Sequence, residues 1–556
     1  MSRTASSTFV ALRGTLGATA AALLLAGCGD LEWTRFQARM GDADAEAELG
    51  RRYEEGDGVT RNPARAVSWY QRAIKSGSPQ AKVALARLYE EGTGVERSPT
   101  RAAKLLEEAG QEGSVTARRL LVESALAGGA AVTRQMRGWL ETDAEEGNLD
   151  AQRLLGDIYF AGKGTLTDLG RAARWYRLAA EAGDAHAQQR LGLLLSSDFG
   201  PPRDDEEALV WLQRSAEQGH LEGEYALGIA YMRGFGETRN RERALHWLGL
   251  AFEHGKSEAA GSISQLYEEG LGGPRDEVRA IEWLRAAAEA DPKAFAVGLA
   301  ERYETGSGVD TDLAASLRLY ESAAEAGDAE AQARLGEYAL RKRVPDTNSA
   351  ARWFRAAAAQ GHAGAQARLG AFYQRGEGVE QDFAEALRWY RRASQRGNAT
   401  AMLGVGLAYM NGEAVGADDG EANRWFLRAA EAGERTAQLL LAARAREGTG
   451  FDEPDIELGF RWFDRAARQG DPTARYMMGY SYLRGEGVER DTAKAFAWAT
   501  LAVESGQQDT FAVLKNLRSS ISKEARRRGL ELMESLREPT PEDRKWKLHA
   551  IPSSGS

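Results

Sequence analysis

Cysteine is almost missing from this chain: Cys28 is the single one among 556 residues. One thiol forms no intramolecular disulfide and no cysteine-based metal site, so disulfide-stapled and zinc-ribbon folds are excluded at once. Proline is scarce at 13 residues, and histidine scarcer, at His186, His220, His246, His254, His362 and His549. No pair of these has a ligand spacing such as H-x-x-x-H, so no metal and no cofactor is expected. Blocks of like charge are absent too. The 72 basic and 82 acidic residues are interleaved, with a formal net charge of −10. Nucleic-acid binding needs a concentrated basic surface, and interleaved charge reads instead as the solvated face of helices. Long apolar runs are also lacking. The stretch Leu16 to Ala26 falls well short of the ~20 residues of a membrane-spanning helix.

That short apolar run has a different reading. Arg3 and Arg13 precede or flank it, and Leu25-Ala26-Gly27-Cys28 follows, which is the layout of a secretion leader. The last four residues resemble the lipobox of bacterial lipoproteins. The resemblance implies that residues 1–27 are cut away and that the Cys28 thiol carries a thioether-linked lipid. The competing reading, an ordinary leader with an incidental cysteine, must place the chain's one cysteine at the cleavage position by chance. Each buried CH₂ contributes about 0.8 kcal/mol, so two or more acyl chains make a stable anchor. Gly29 follows the cysteine and Asp30 comes after it. In enteric lipoproteins an Asp directly after the cysteine favours inner-membrane retention, so the periplasmic face of the outer membrane is expected here. The mature chain would keep 70 basic and 82 acidic residues, near −12.

Tryptophan shows what fills the remainder. Trp139, Trp175, Trp211, Trp247 and Trp283 are spaced by 36 residues, as are Trp353, Trp389 and Trp425; Trp462 and Trp498 follow at 37 and 36. Trp69 opens the series, and Leu105 and Leu319 fill the two gaps. A fixed period of this length marks a repeat protein. Alignment on it gives about 13 units from Ala43 to Gln507, of which Ala363–Asn398 and Leu149–Asp184 are clear copies. The pattern A-x-x-x-L-G-x-x-Y, G-x-G-V-x-x-D, A-x-x-W-Y-x-x-A-A-x-x-G resembles Sel1-like repeats, relatives of the tetratricopeptide repeat. The resemblance implies an all-α solenoid of helix pairs, roughly 26 helices in all. The third unit, Val115–Asn148, lacks the usual loop (ALAGGAAVTRQ), which puts its local geometry in doubt.

The unit makes physical sense. Ala365, Leu369 and Tyr373 form one apolar stripe at helical period. Gly370 lets a neighbouring helix approach, and Gly376-x-Gly378 ends the first helix and turns the chain. Asp382 caps the second helix, with Glu385 as capping-box partner. Ala386, Trp389, Tyr390 and Ala393 make its buried face. One such pair cannot bury its apolar surface alone, so neighbours must stack. The domain order expected is a leader (1–27), an anchor linker (28–42), the solenoid (43–507), a helical cap (508–538) and a flexible tail (539–556).

Motifs with chemical meaning dissolve into this scheme. The G-x-G turns follow helices and recur once per unit, which makes them loops and not phosphate cradles. Ser520-Ile521-Ser522-Lys523 matches S-x-x-K, but its companion motifs are absent, and Ser522 is placed to cap a helix. Carboxylate pairs such as Glu54-Glu55 recur as surface features. No catalytic residue is assigned and no enzyme is expected.

A binding scaffold remains. Solenoids present an extended surface lined by first helices, and the variable positions there, Arg190, Arg334, Arg368 and Phe372, are the candidate partner-binding residues. Other envelope proteins are the expected partners, including an outer-membrane barrel, with the membrane reached through the lipid and nucleic acid not involved. Lipobox plus helical repeats also resembles the lipoproteins that support exopolysaccharide export, which implies a place in such a complex. Binding of carbohydrate or peptidoglycan is the other reading left open.

Overall fold

The computed structural model describes residues 30–236, 239–507 and 510–537. Among these residues there are 29 helices and no strand. They fall into two compact units, residues 1–276 and 277–556. Both are built from the same helix pair. Between Ala43 and Glu504 lie 26 helices, the thirteen pairs that the tryptophan period demands, and the loop-poor stretch at 115–148 is one of them (Val115–Ala127 and Arg134–Glu145).

The first helix of each pair is anchored by small residues. Ala45, Ala81, Ala151, Ala187, Ala331, Ala365, Ala401 and Ala437 stand at one register position and are all buried. One turn on comes the leucine, and beside it the glycine that receives a ring from the second helix. In the pair Leu149–Ala161 and Leu169–Glu181, a Cβ on Gly156 would stand 2.4 Å from the Tyr176 ring. The Tyr176 side chain is wholly buried. Burying a large aromatic this way removes about 150 Å² or more of surface from water, so a pair that carries a ring here gains several kcal/mol of gross stabilisation at ~25 cal/mol per Å².

Helix ends follow the sequence closely, with one exception. Gly376 takes a left-handed conformation (φ 69°), and its N–H donates to the Phe372 carbonyl at 2.8 Å. Gly378 (φ 65°) is needed twice over, because a Cβ there would stand 2.2 Å from the Thr347 carbonyl oxygen of the preceding repeat. Asp382 accepts from the Ala384 and Glu385 backbone N–H groups, both at 2.9 Å. The reciprocal half of the capping box does not form. The Asp382 N–H donates instead to the Tyr373 carbonyl at 2.9 Å, and Glu385 turns to Arg388. The same bond to the first-helix tyrosine ties down Asn62, Ser98, Asp168, Asp312, Asp418 and Asp491, so a backbone bond fixes the loop in these repeats.

Neighbouring repeats are clasped by buried amides. Gln152, Gln188, Gln332, Gln366 and Gln438 each donate to the carbonyl eight residues earlier, near the end of the preceding second helix, at 3.0 to 3.1 Å. Three of them also accept from a glutamine at the end of their own repeat, Gln218, Gln360 and Gln469. Each of these carbonyls also accepts from the glycine N–H three residues on, at 3.0 to 3.1 Å, so the glutamine adds a second bond worth about 0.5–1.5 kcal/mol.

Trp389 is half-exposed where full burial was expected, and the reason is its role. It packs against the core of the preceding repeat and carries Arg392 on its outer face at 4.7 Å. Trp69, Trp211, Trp425 and Trp462 hold an arginine three residues on in the same way. At the N-terminal side, residues 28–42, expected as a linker, include the helix Asp30–Arg39, whose Ala38 is buried against the first repeat and whose Asp30 pairs with Arg52. At the C-terminal side the helix Lys523–Arg537 lies on Thr492–Glu504, with Arg537 reaching Glu504 at 2.8 and 2.9 Å. Ser522 caps it, accepting from the Ala525 N–H at 3.1 Å. Cys28 and the tail from 539 lie outside the described residues.

Candidate protein-binding face

The residue directly after the ring-receiving glycine, or after whatever replaces it, is at least partly exposed in all thirteen repeats. In the first unit it is Arg51, Arg87, Glu123, Asp157, Leu193, Ile229 and Gln265. In the second it is Glu301, Glu337, Ala371, Leu407, Ala443 and Tyr480. The chemistry of this position runs through both charges, amide, aliphatic and aromatic, and some of its residues also serve the fold, as Asp157 does for the Tyr176 hydroxyl and Leu407 by packing on the core. Two positions before the glycine stands a second partly exposed site in several repeats. This is where the structure places three of the four nominated residues.

Arg334 and Arg368 occupy it in the second unit, and both are engaged. Arg334 pairs with Glu330 on its own helix at 2.8 Å and with Glu301 on the preceding first helix at 3.2 Å. Arg368 grips Glu337 of the preceding first helix with two bonds, at 2.7 and 3.2 Å. Arg190 occupies it in the first unit and stacks on the Phe160 ring at 5.4 Å. Phe372 does not belong to the surface. It is 1 % exposed and meets the Phe354 ring edge-on at 5.6 Å. The reason is its register: seven residues after Ala365 and three after Leu369, it lies on the buried stripe.

The two histidines that follow unit-ending glycines turn out to be helix caps. His220 Nδ1 accepts from the Gly223 N–H at 3.1 Å, and His362 Nδ1 from the Ala365 N–H at 3.0 Å. His362 thereby presents Nε2 to Glu330 at 2.9 Å. That hydrogen bond, aided by Arg334, outweighs burial and holds the Glu330 carboxyl at about 2. Around Asp157, burial pushes the carboxyl up, but bonds from His186 (3.4 Å) and the Tyr176 hydroxyl (2.7 Å) prevail and keep it below the ordinary value. Glu54 plays a similar structural part, accepting from the Tyr70 hydroxyl at 2.8 Å and pairing with Arg87.

The loop-poor third repeat carries a feature the sequence did not announce. A cavity of about 340 Å³ opens there, lined by Glu107, Leu121, Thr133, Arg134, Gln135, Met136 and Trp139.

Comparison with known proteins agrees with this architecture. The Sel1 repeat model matches twelve stretches, two within 43–114, four within 149–292, four within 294–434 and two within 436–507. The chain belongs to the Sel1 repeat family. The helix pair at 115–148 is the thirteenth, unmatched in sequence but present in structure. Among solved structures the chain is similar to c5321, a protective antigen present in uropathogenic Escherichia coli strains displaying an SLR fold. They share 27 % identity over 88 % of this chain and 98 % of that one, with a TM-score of 0.54. It is also similar to a Sel1 repeat protein from Oxalobacter formigenes (29 % identity, 68 % and 91 % coverage, TM-score 0.34). No curated protein matched the chain. Proteins of this repeat class generally mediate protein–protein interactions.

Proposed function

We propose that this protein is a lipid-anchored scaffold on the periplasmic side of the outer membrane, where it binds other envelope proteins and assists their assembly. One observation carries the binding role: the alanine, leucine and glycine positions hold small or apolar residues throughout, while the partly exposed residue after the glycine position changes chemistry from repeat to repeat. A position that varies in this way is available for recognition. The anchoring part rests on Leu25-Ala26-Gly27-Cys28. The E. coli relative is a protective antigen, which suits a protein of the envelope. An outer-membrane barrel is the partner proposed, as in the exopolysaccharide-export lipoproteins that the sequence resembles. Carbohydrate binding has one observation in its favour, the paired rings of Tyr476 and Tyr480 on the last first helix, 6.5 Å apart.

Crosslinking in cells, followed by purification and mass spectrometry, tests the scaffold reading. Recovery of one outer-membrane barrel or polymer-synthesis component supports it, and recovery of glycan fragments without protein moves the carbohydrate reading ahead. For the anchor, Cys28→Ser is expected to abolish incorporation of labelled palmitate and to release the protein into the soluble fraction. Retained label would overturn the lipoprotein assignment.

A further inference from the structure

Three arginines share one register position, two residues before the glycine that packs against the second helix, and the chain supplies its own controls for what that position does. Arg334 has two carboxylates: Glu330, four residues earlier on its own helix, and Glu301, the residue after the glycine equivalent of the preceding repeat. Arg368 has the second of these, Glu337, in a two-bond grip. At Arg190 both are lost. The residue four earlier is His186, whose Nε2 lies 3.5 Å from Arg190 Nε. The acid of the preceding repeat is Asp157, which is committed elsewhere: to the Tyr176 hydroxyl at 2.7 Å, to His186 at 3.4 Å and to Arg153 at 3.7 Å. Among the described residues no carboxylate lies within ion-pairing distance of Arg190, and its guanidinium rests on Phe160 instead.

The surroundings are apolar and open. Phe160 is 38 % exposed and Leu193, three residues beyond Arg190 on the same helix, is 39 % exposed. An uncompensated guanidinium between exposed apolar side chains is an arrangement a solvated surface does not need. We infer that Arg190, Phe160 and Leu193 form a docking point for a partner segment in which a carboxylate side chain is flanked by apolar ones. The inference rests on the protein-binding reading and assigns the partner's chemistry. Arginine meets a carboxylate with two parallel N–H···O bonds, while flanking apolar groups exclude water and strengthen that pair.

The test uses the purified full chain and two capped fluorescent peptides. One places Glu between Leu and Phe, and its twin carries Gln in place of Glu. Fluorescence anisotropy is expected to show the Glu peptide binding about tenfold tighter, equivalent to about 1.4 kcal/mol. Arg190→Gln is expected to erase that preference and Arg190→Lys to keep most of it, while Arg214→Gln, on a second helix and stacked on Trp211, leaves it intact. Leu193→Ala should weaken both peptides alike. Equal affinity for the twins, equal losses in the Arg190 and Arg214 variants, or no binding of either peptide at millimolar concentration overturns the inference. Such a result with partners still recovered by crosslinking removes this docking point alone; recovery of no partner removes the scaffold reading itself.

Discussion

Gly156 and the Tyr176 ring are in contact so close that a methyl group cannot be added between them: a Cβ on the glycine would stand 2.4 Å from the ring carbons. Real Cβ atoms do not approach so near, and Tyr176 cannot swing aside because it is fully buried and its hydroxyl is held by Asp157. Gly156→Ala is therefore expected to destabilise the first unit by about 1–3 kcal/mol through overpacking. Gly138, also inside a helix, has nothing within 4 Å of its Cβ position. There the same substitution is expected to stabilise by about 0.5–1 kcal/mol, since alanine loses less backbone entropy on folding. Urea-unfolding midpoints of the two variants should move in opposite directions.

The buried amide clasp leads to a second prediction. Gln188 is 4 % exposed, donates to the Ala180 carbonyl at 3.0 Å and accepts from Gln218 at 2.8 Å. Gln188→Leu keeps the volume and removes both bonds, leaving the Ala180 carbonyl with the Gly183 N–H alone, at an expected cost of about 0.5–1.5 kcal/mol. Amide exchange should accelerate in the helices Leu169–Glu181 and Ala185–Leu195. Gln213→Ala, which removes an exposed bond to Glu217, is expected to change stability by less than ~0.5 kcal/mol and to leave exchange as it was. Equal effects from the two would mean the clasp is ornamental.

Much of this architecture was legible because one period governs core, loop and cap together. The Trp139 to Trp283 spacing, the Ala365–Leu369 stripe and the Asp382 cap each report the same unit, and the structure returns thirteen of them. What escaped was residue-scale assignment. Gln188 reads as a surface amide until the preceding helix end is in place, because its partner is a backbone carbonyl and carries no sequence signal. Trp389 reads as core because tryptophan is apolar, yet its ring bridges two repeats and keeps one face for Arg392. Phe372 reads as a variable position of the first helix, although its spacing from Ala365 places it on the buried stripe. Arg190, Arg334 and Arg368 look equivalent in sequence; only the carboxylates brought across from the preceding helix distinguish them.

Phe372 and Arg368 can be separated directly. Phe372→Ala deletes a wholly enclosed ring and the edge-on contact with Phe354, at an expected cost of about 3–5 kcal/mol. Arg368→Ala removes a half-exposed ion pair and is expected to cost at most ~1 kcal/mol. Chemical denaturation of both variants, followed by helical circular dichroism, decides the matter. A Phe372 variant as stable as the parent would return that residue to the surface.

Acid stability provides the last prediction. The hydrogen bond from His362, with Arg334 beside it, holds the folded Glu330 carboxyl at about 2 against an ordinary 4.5. A carboxyl whose folded value is depressed stabilises the fold in its ionised form. Its contribution is complete above the unfolded value near 4.5 and drains away as pH falls toward 2. Because 44 % of the side chain remains exposed, water screens the interaction, and the contribution expected is on the order of 1 kcal/mol. Glu330→Gln should therefore be less stable than the parent by about that amount near neutrality, with the gap closing steadily between about pH 4.5 and pH 2. Urea midpoints of both proteins across that range make the comparison, and the difference between them cancels every carboxylate they share. A gap that stays constant, or widens as the solution is acidified, would show that Glu330 is not coupled to His362 and Arg334 in the way the geometry requires.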